Sequence, residues 1–299
     1  MSRSVKLLSS ILLLSMILMV LASCAPKRDI APLTDVTKVD EDKYSCSFDG
    51  VEHYFLLYLP EQVEGAPLVL MLHGAGDSPE VLRRNSSFEE DAVPEGYAVA
   101  YVSAAPDRDN PTAGKVWNSG IGIATGNDDI SFLISLTSYL EKEYKLDSKR
   151  TYAVGFSNGA FMVNRLAIEA ADIFEAAVSV AGVMPDSVWD QKPDKLHIGF
   201  FQITGLSDAV VPKHCDGTAE SSVAPAVEDV ISYFAEANSL GQAVEEEIGN
   251  DSTIIRYEAD NKDVSVWHLM VTNGYHSWPS ENITGINTNE LILEFLGDN

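Results

Sequence analysis

Basic residues are scarce in this chain: 20 Lys and Arg stand against 45 Asp and Glu, for a formal net charge of −25 at pH 7. Binding a polyanion needs clustered Lys and Arg to displace its counterions, so nucleic acid is excluded as a partner. The acidity reads instead as a solvated, self-repelling surface that keeps the protein soluble. Cysteine is scarcer still, with three in 299 residues. No Cys/His spacing marks a zinc site, and no metal or organic cofactor is implied. No internal repeat is visible, and no long Gly/Ser or Pro-rich break interrupts the chain after Tyr44. Long apolar runs are also lacking. An uninterrupted membrane span needs about 20 apolar residues, and the one candidate stretch, Leu7 to Leu21, is broken by Ser9, Ser10 and Ser15.

That stretch follows Arg3 and Lys6 and ends at Leu21-Ala22-Ser23-Cys24. Basic start, short apolar middle and small-residue end resemble a bacterial lipoprotein signal. The expectation is that residues 1–23 are removed and Cys24 carries a lipid, attaching the protein to a membrane surface outside the cytoplasm. Residues 24–42, with Pro26, Pro32 and mixed charges, read as a flexible tether, and residues 43–299 as one catalytic α/β domain. An extracytoplasmic location would allow Cys46 and Cys215 to pair, provided that the fold makes their segments neighbours. The sequence is silent on oligomeric state.

From Tyr44 onward, strand-like and helix-like segments alternate. Strands are expected at Tyr44 to Phe48, His53 to Leu59, Pro67 to Leu72, Tyr97 to Val102, Thr151 to Val154, Ala176 to Val180, Ile198 to Ile203, Thr253 to Glu258 and Val264 to Val271. The middle ones are continuously apolar, as strands buried on both faces are. Helical spacing falls at Ile130 to Tyr144, Ala160 to Ala170, Ala226 to Ser239 and Asn289 to Leu296. The pattern predicts the α/β-hydrolase architecture, a mostly parallel central sheet with helices on both faces. Asn127 and Asp128 read as helix caps rather than metal ligands. Only Val183 to Lys195 is available for a cap domain after the strand that follows the nucleophile helix, too short for a large lid. The longer connection, Ser103 to Gly126, could border the cleft.

Gly155-Phe156-Ser157-Asn158-Gly159 follows an apolar strand and opens a helical pattern, the setting of a nucleophile elbow. A serine hydroxyl is a poor nucleophile at neutral pH, so it must stand clear on a tight turn, where an imidazole takes its proton and backbone amides receive the oxyanion. In this fold the acid and then the base follow the serine in chain order. Asp208 leaves the loop after Ile198 to Ile203 and is the candidate acid, with Asp216 its nearest competitor. His276, in the turn-rich Asn273 to Pro279 segment, is the candidate base. His268 lies within a strand and reads as packed, while His53, His197 and His214 lie off the expected loop. His73-Gly74-Ala75-Gly76 follows the third strand, where one oxyanion amide is donated. Ala75 is the expected donor, with Gly74 as the alternative, and the backbone amide of Asn158 supplies the second. Trp117 and Trp278 are aromatic candidates for substrate contact or for loop packing.

Leu72-His73-Gly74, Trp117-Asn118, Asp128 to Phe132, Gly155 to Gly159, Asp208 to Pro212 and His276 to Pro279 together resemble the secreted polyhydroxybutyrate depolymerase and feruloyl esterase family, within carbohydrate esterase family one. The resemblance runs from about Tyr44 to the C-terminus. It implies Ser157 as nucleophile, Asp208 as acid and His276 as base. It also implies a small-molecule or polymeric ester substrate: feruloyl or acetyl groups on plant xylan, or aliphatic polyesters. The chain departs from the family at Tyr275, where a glycine is common, at Thr204-Gly205, where a His-Gly pair is common, and at Ser119 to Gly122, where cysteines often occur; these positions bear on substrate preference. Two other activities fit the same triad, peptide hydrolysis and acyl transfer. A non-catalytic glycan-binding lipoprotein would show an impaired triad, and this one is complete in sequence.

Overall fold

A computed structural model describes residues 28–107, 112, 114–120, 126–213, 225–260 and 263–299. Cys24, His214, Cys215, Asp216 and the region 1–27 lie outside the described residues.

Strands β1 (Thr34–Lys38), β2 (Lys43–Phe48), β3 (Val51–Tyr58) and β4 (Leu68–Leu72) open the chain. Helices α1 (Pro79–Ser86) and α2 (Phe88–Ala92) follow, then β5 (Ala98–Val102), α3 (Asp129–Tyr144), β6 (Thr151–Phe156), α4 (Asn158–Glu169) and β7 (Ala176–Val180). After the short α5 (Asp186–Trp189) come β8 (Gly199–Gly205), α6 (Val227–Ala237), β9 (Val244–Ile248), β10 (Ser252–Tyr257), β11 (Val266–Val271), α7 (Glu281–Thr284) and α8 (Thr288–Gly297). The strands form one sheet in the order β1-β2-β3-β5-β4-β6-β7-β8-β11-β10-β9. Pairing is parallel from β5 through β4, β6, β7 and β8 to β11, and antiparallel at both ends.

Central strands are buried along their length and mostly apolar because both of their faces are covered. Leu68, Leu70 and Leu72 of β4 pack with α3, α4 and α6, whereas Val69 and Met71 point to the side of α1, α2 and α8. The nine expected strands are all present, with ends shifted by a residue or a few. Two more flank them. β1 pairs antiparallel with β2, so the tether reading of residues 24–42 is corrected for its second half. Its side chains are mostly exposed, so ladder hydrogen bonds rather than burial hold it, and no apolar pattern announces it. β9, Val-Glu-Glu-Glu-Ile, is an exposed edge for the same reason. Helix α1 begins with Ser78 as N-cap and Pro79 at its first turn, a start signal that eight largely polar residues do not advertise by periodicity. Asp128 caps α3 by accepting from the Ser131 amide at 3.1 Å, and Asn127 instead donates to the Pro106 carbonyl at 3.0 Å. Among the described residues no helix is long and apolar enough to cross a membrane.

Candidate active site

Parallel strands end their C-termini along one edge, and β4, β6, β8 and β11 deliver the loops that build the site there. At the end of β6 the chain turns so sharply that Ser157 adopts φ 54°, ψ −117°, a strained conformation for a residue with a side chain. Two glycines make the turn feasible. A Cβ on Gly155 would fall 2.7 Å from the Ala160 nitrogen, and one on Gly159 would fall 2.7 Å from the His73 carbonyl oxygen and closer still to that of Leu72. The absence of side chains at these points lets α4 start directly against the β4 exit.

Ser157 Oγ lies 2.9 Å from His276 Nε2. On the other side of the ring, Nδ1 lies 2.8 Å from Asp208 Oδ2. Asp208 is 5% exposed, and its second oxygen accepts the Val210 and Val211 amides, both at 2.8 Å. With Oδ1 committed to two N–H donors, Oδ2 is held facing the imidazole. The ring also rests against Phe156, with centroids 5.1 Å apart. The three sequence candidates are thus brought together in one hydrogen-bonded line. Three of the other histidines are placed elsewhere. His53 is stacked on Phe132 at 3.6 Å, and His197 faces Asp263 on the surface. His268 is buried with Nε2 3.2 Å from Thr204 Oγ1, and burial lowers its pKa to about 4.

Asn158 is the first residue of α4, so its amide is one of the orphan donors of a helix start. Among the described residues neither it nor the Ala75 amide donates to another protein group, which leaves both available to a developing oxyanion. The loop carrying Ala75 is fixed from behind by His73. Its Nδ1–H donates to the Gly74 carbonyl at 2.7 Å and its Nε2 accepts the Ala104 amide at 3.0 Å. Acceptance at Nε2 requires the neutral ring, and burial lowers its pKa to about 4 in keeping with that.

Trp117 requires a correction. It is 0% exposed, and its indole N–H donates to the His73 carbonyl at 2.9 Å, so neither ring face is open to a substrate. Trp278 is partly buried, and its indole N–H donates to Asn289 Oδ1 at 3.0 Å. Asn289 in turn donates to Ser86 O at 2.9 Å and Asp91 Oδ2 at 2.8 Å, which ties Trp278 to the end of α1. The ring lines a 490 Å³ cleft with His276, Phe156, Leu82, Asp77, Arg84 and Asn85. Asp77, Arg84 and Asn85 line this cleft and Asn289 braces Trp278 behind it; sequence reasoning missed all four, and the Ser78-Pro79 start signal of α1 could have found the first three. Cys46 is a buried thiol whose pKa burial pushes up to about 12. Among the described residues no group of three or more His, Cys, Asp and Glu is arranged to hold a metal ion.

A family model described as "Prolyl oligopeptidase family" matches residues 88–212. NocK of Nocardia uniformis subsp. tsuyamanensis, whose name assigns it provisionally to the esterases, is 29% identical over 250 residues, covering 74% of this chain and 67% of NocK. Feruloyl esterase B of Thermothelomyces thermophilus is 28% identical over 132 residues, covering 42% of this chain and 43% of that enzyme. Among solved structures, acetyl xylan esterase from Aspergillus awamori superposes with a TM-score of 0.55 at 13% identity, covering 83% of this chain and 94% of the other. The match thus spans about two thirds of NocK and less than half of the feruloyl esterase. The solved structures show the fold, that of an α/β-hydrolase, and in sequence the chain is similar to proteins named as esterases. Those names include feruloyl and acetylxylan esterases, the resemblance its motifs carry.

Proposed function

We propose that this protein is a serine esterase that removes acyl groups, feruloyl or acetyl, from sugar hydroxyls of oligomeric or polymeric glycans. The observation that carries the reading is the hydrogen-bonded line from Ser157 Oγ through His276 to buried Asp208, beside two undonated amides. Ser157 Oγ attacks the ester carbonyl carbon as its proton passes to His276 Nε2, and the carbonyl electron pair moves to the oxygen. The amides of Asn158 and Ala75 hold that oxyanion. When the pair returns, the C–O bond to the alcohol breaks and the alcohol leaves with the proton from Nε2, giving the acyl-serine. Water repeats the sequence, with His276 taking its proton, and the acid is released. Asp208 holds the imidazole in the tautomer whose Nε2 can accept.

The cleft chemistry favours a sugar ester over a polyester. A polyester chain offers hydrogen-bond acceptors only, so it has no hydroxyl to donate to the Asp77 carboxylate, whose neighbouring charge is Arg84. A sugar offers hydroxyl donors to Asp77 and acceptors to Arg84 and Asn85, with Trp278 as an apolar wall. We also infer attachment to a membrane surface outside the cytoplasm through a lipid on Cys24, supported by the Arg3 to Cys24 sequence pattern; acyl labelling lost in Cys24→Ala tests it. The substrate is tested with residues 25–299 on feruloylated xylan oligomers, acetyl xylan, hydroxybutyrate oligomers and an aminoacyl amide. Ferulate or acetate release supports the proposal. Exclusive release of hydroxybutyrate or amine would transfer the site to polyester or peptide chemistry.

A further inference from the structure

The two oxyanion donors lie just past the paired ends of β4 and β6, where Leu72 is opposite Gly155: the β4 exit carries Ala75, and the start of α4 carries Asn158. Beyond that pairing, one residue hydrogen-bonds to both segments. Trp117 donates its indole N–H to the His73 carbonyl at 2.9 Å, two residues before Ala75. Its backbone N–H donates to the Asn158 side-chain Oδ1 at 2.7 Å. The Asn158 carboxamide then returns a bond to Ser119 Oγ at 3.0 Å and a longer one to the Trp117 carbonyl at 3.4 Å. The indole also lies against the His73 ring, with centroids 5.5 Å apart. The segment holding Trp117 is itself fastened to helices on its far side. The Asn118 amide donates to Asp129 Oδ2 at 2.7 Å, and the Asn118 carbonyl accepts from Arg165 of α4 at 2.5 Å.

We propose that Trp117 and the side chain of Asn158 are positioning residues of the oxyanion hole: together they form a strut that sets the separation of the Asn158 and Ala75 amides. Neither group touches substrate. Transition-state donors act only if they are already aimed when charge develops, and a misplacement of about 1 Å can cost about a hundredfold in rate. A buried tryptophan serves such a role better than a smaller residue, since its indole spans the gap while its N–H fixes the angle. The inference rests on the serine-esterase reading above.

The test compares wild type, Trp117→Phe, Asn158→Ala and the double variant. Trp117→Phe keeps the aromatic packing and removes the donor, while Asn158→Ala removes the clamp and keeps the backbone amide. Each is assayed on p-nitrophenyl acetate and with an aryl trifluoromethyl ketone. Addition of Ser157 Oγ to the ketone carbon forms one C–O bond, sends the serine proton to His276 and leaves the negative charge on the former ketone oxygen, an image of the reaction's oxyanion. Each single variant is expected to lower kcat about ten- to hundredfold with KM changed by less than about threefold. The Ki of the ketone should rise by the same factor as kcat/KM falls. The double variant should lose less than the product of the two, because both act on one geometry. Folded variants that lose thermal midpoint but keep wild-type Ki would overturn the strut and assign the residues to stability alone. If Trp117→Phe does not fold, the match between Ki and kcat/KM in Asn158→Ala decides the question. A wild type that neither hydrolyses esters nor adds the ketone would remove the esterase reading and the strut together.

Discussion

Asp129, the first residue of α3, is 1% exposed. One oxygen accepts the Asn118 amide at 2.7 Å, and the other has no partner among the described residues. Burial raises its pKa from 3.8 to about 6, with Asp128 adding to the rise while the Asn118 N–H and Arg165 oppose it. A carboxyl whose folded pKa exceeds its unfolded one holds its proton more tightly in the native state. Its contribution to stability is therefore complete below pH 3.8 and is lost as the pH climbs through 6. At about 1.4 kcal/mol per unit, the loss is about 3 kcal/mol. Asp129→Asn stays neutral throughout and keeps a carbonyl to accept from Asn118. The variant's unfolding free energy minus that of wild type should thus rise by about 3 kcal/mol between about pH 3.5 and pH 7.5, read from urea midpoints at each pH. The subtraction removes every carboxylate the two proteins share. A flat difference across that window, or one that falls, would refute the assignment of Asp129 as a buried carboxyl that binds its proton more tightly in the folded protein than in the unfolded chain.

Gly159→Ala should destabilise the fold by about 3 kcal/mol or prevent soluble expression, since the new methyl would meet the carbonyls of Leu72 and His73; a denaturation midpoint within error of wild type would contradict the close approach. Asp208→Asn should lower kcat by about 10³ to 10⁴ with KM little changed. Two backbone amides fix Oδ1, so the new NH₂ must face His276 Nδ1 and force the proton onto Nε2, where it blocks acceptance from Ser157. Retention of more than a tenth of the rate would argue against that orientation.

Much of this architecture was legible because central strands of an α/β sheet announce themselves. Leu68 to Leu72 and Ala98 to Val102 are apolar at every position but for the Tyr101 hydroxyl, and a solvated segment has no reason to be. Edge elements carry no such mark: β1 and β9 are exposed ladders whose sequences, Thr-Asp-Val-Thr-Lys and Val-Glu-Glu-Glu-Ile, resemble loops. Ser157, Asp208 and His276 were readable as candidates because each sits in a short local segment just beyond a strand, in the order that the fold demands. The network behind them was not. Trp117 lies 41 residues from Asn158 and 44 from His73, and nothing in a tryptophan on a glycine-rich connection separates a buried bridge from an open stacking platform. Asn289 gave no sign either, since a helix-start asparagine ordinarily caps its own helix, and this one reaches α1 and Trp278 instead.

The most direct test of the central claim is to treat residues 25–299 and the Ser157→Ala variant with a serine-directed phosphonate, locate the adduct by mass spectrometry, and measure p-nitrophenyl acetate hydrolysis on the same samples. The account predicts one adduct, on Ser157, abolition of turnover in step with labelling, and neither labelling nor turnover above background in a folded Ser157→Ala protein. An adduct on another serine, or ester turnover in Ser157→Ala above a small fraction of the wild-type rate, would contradict it.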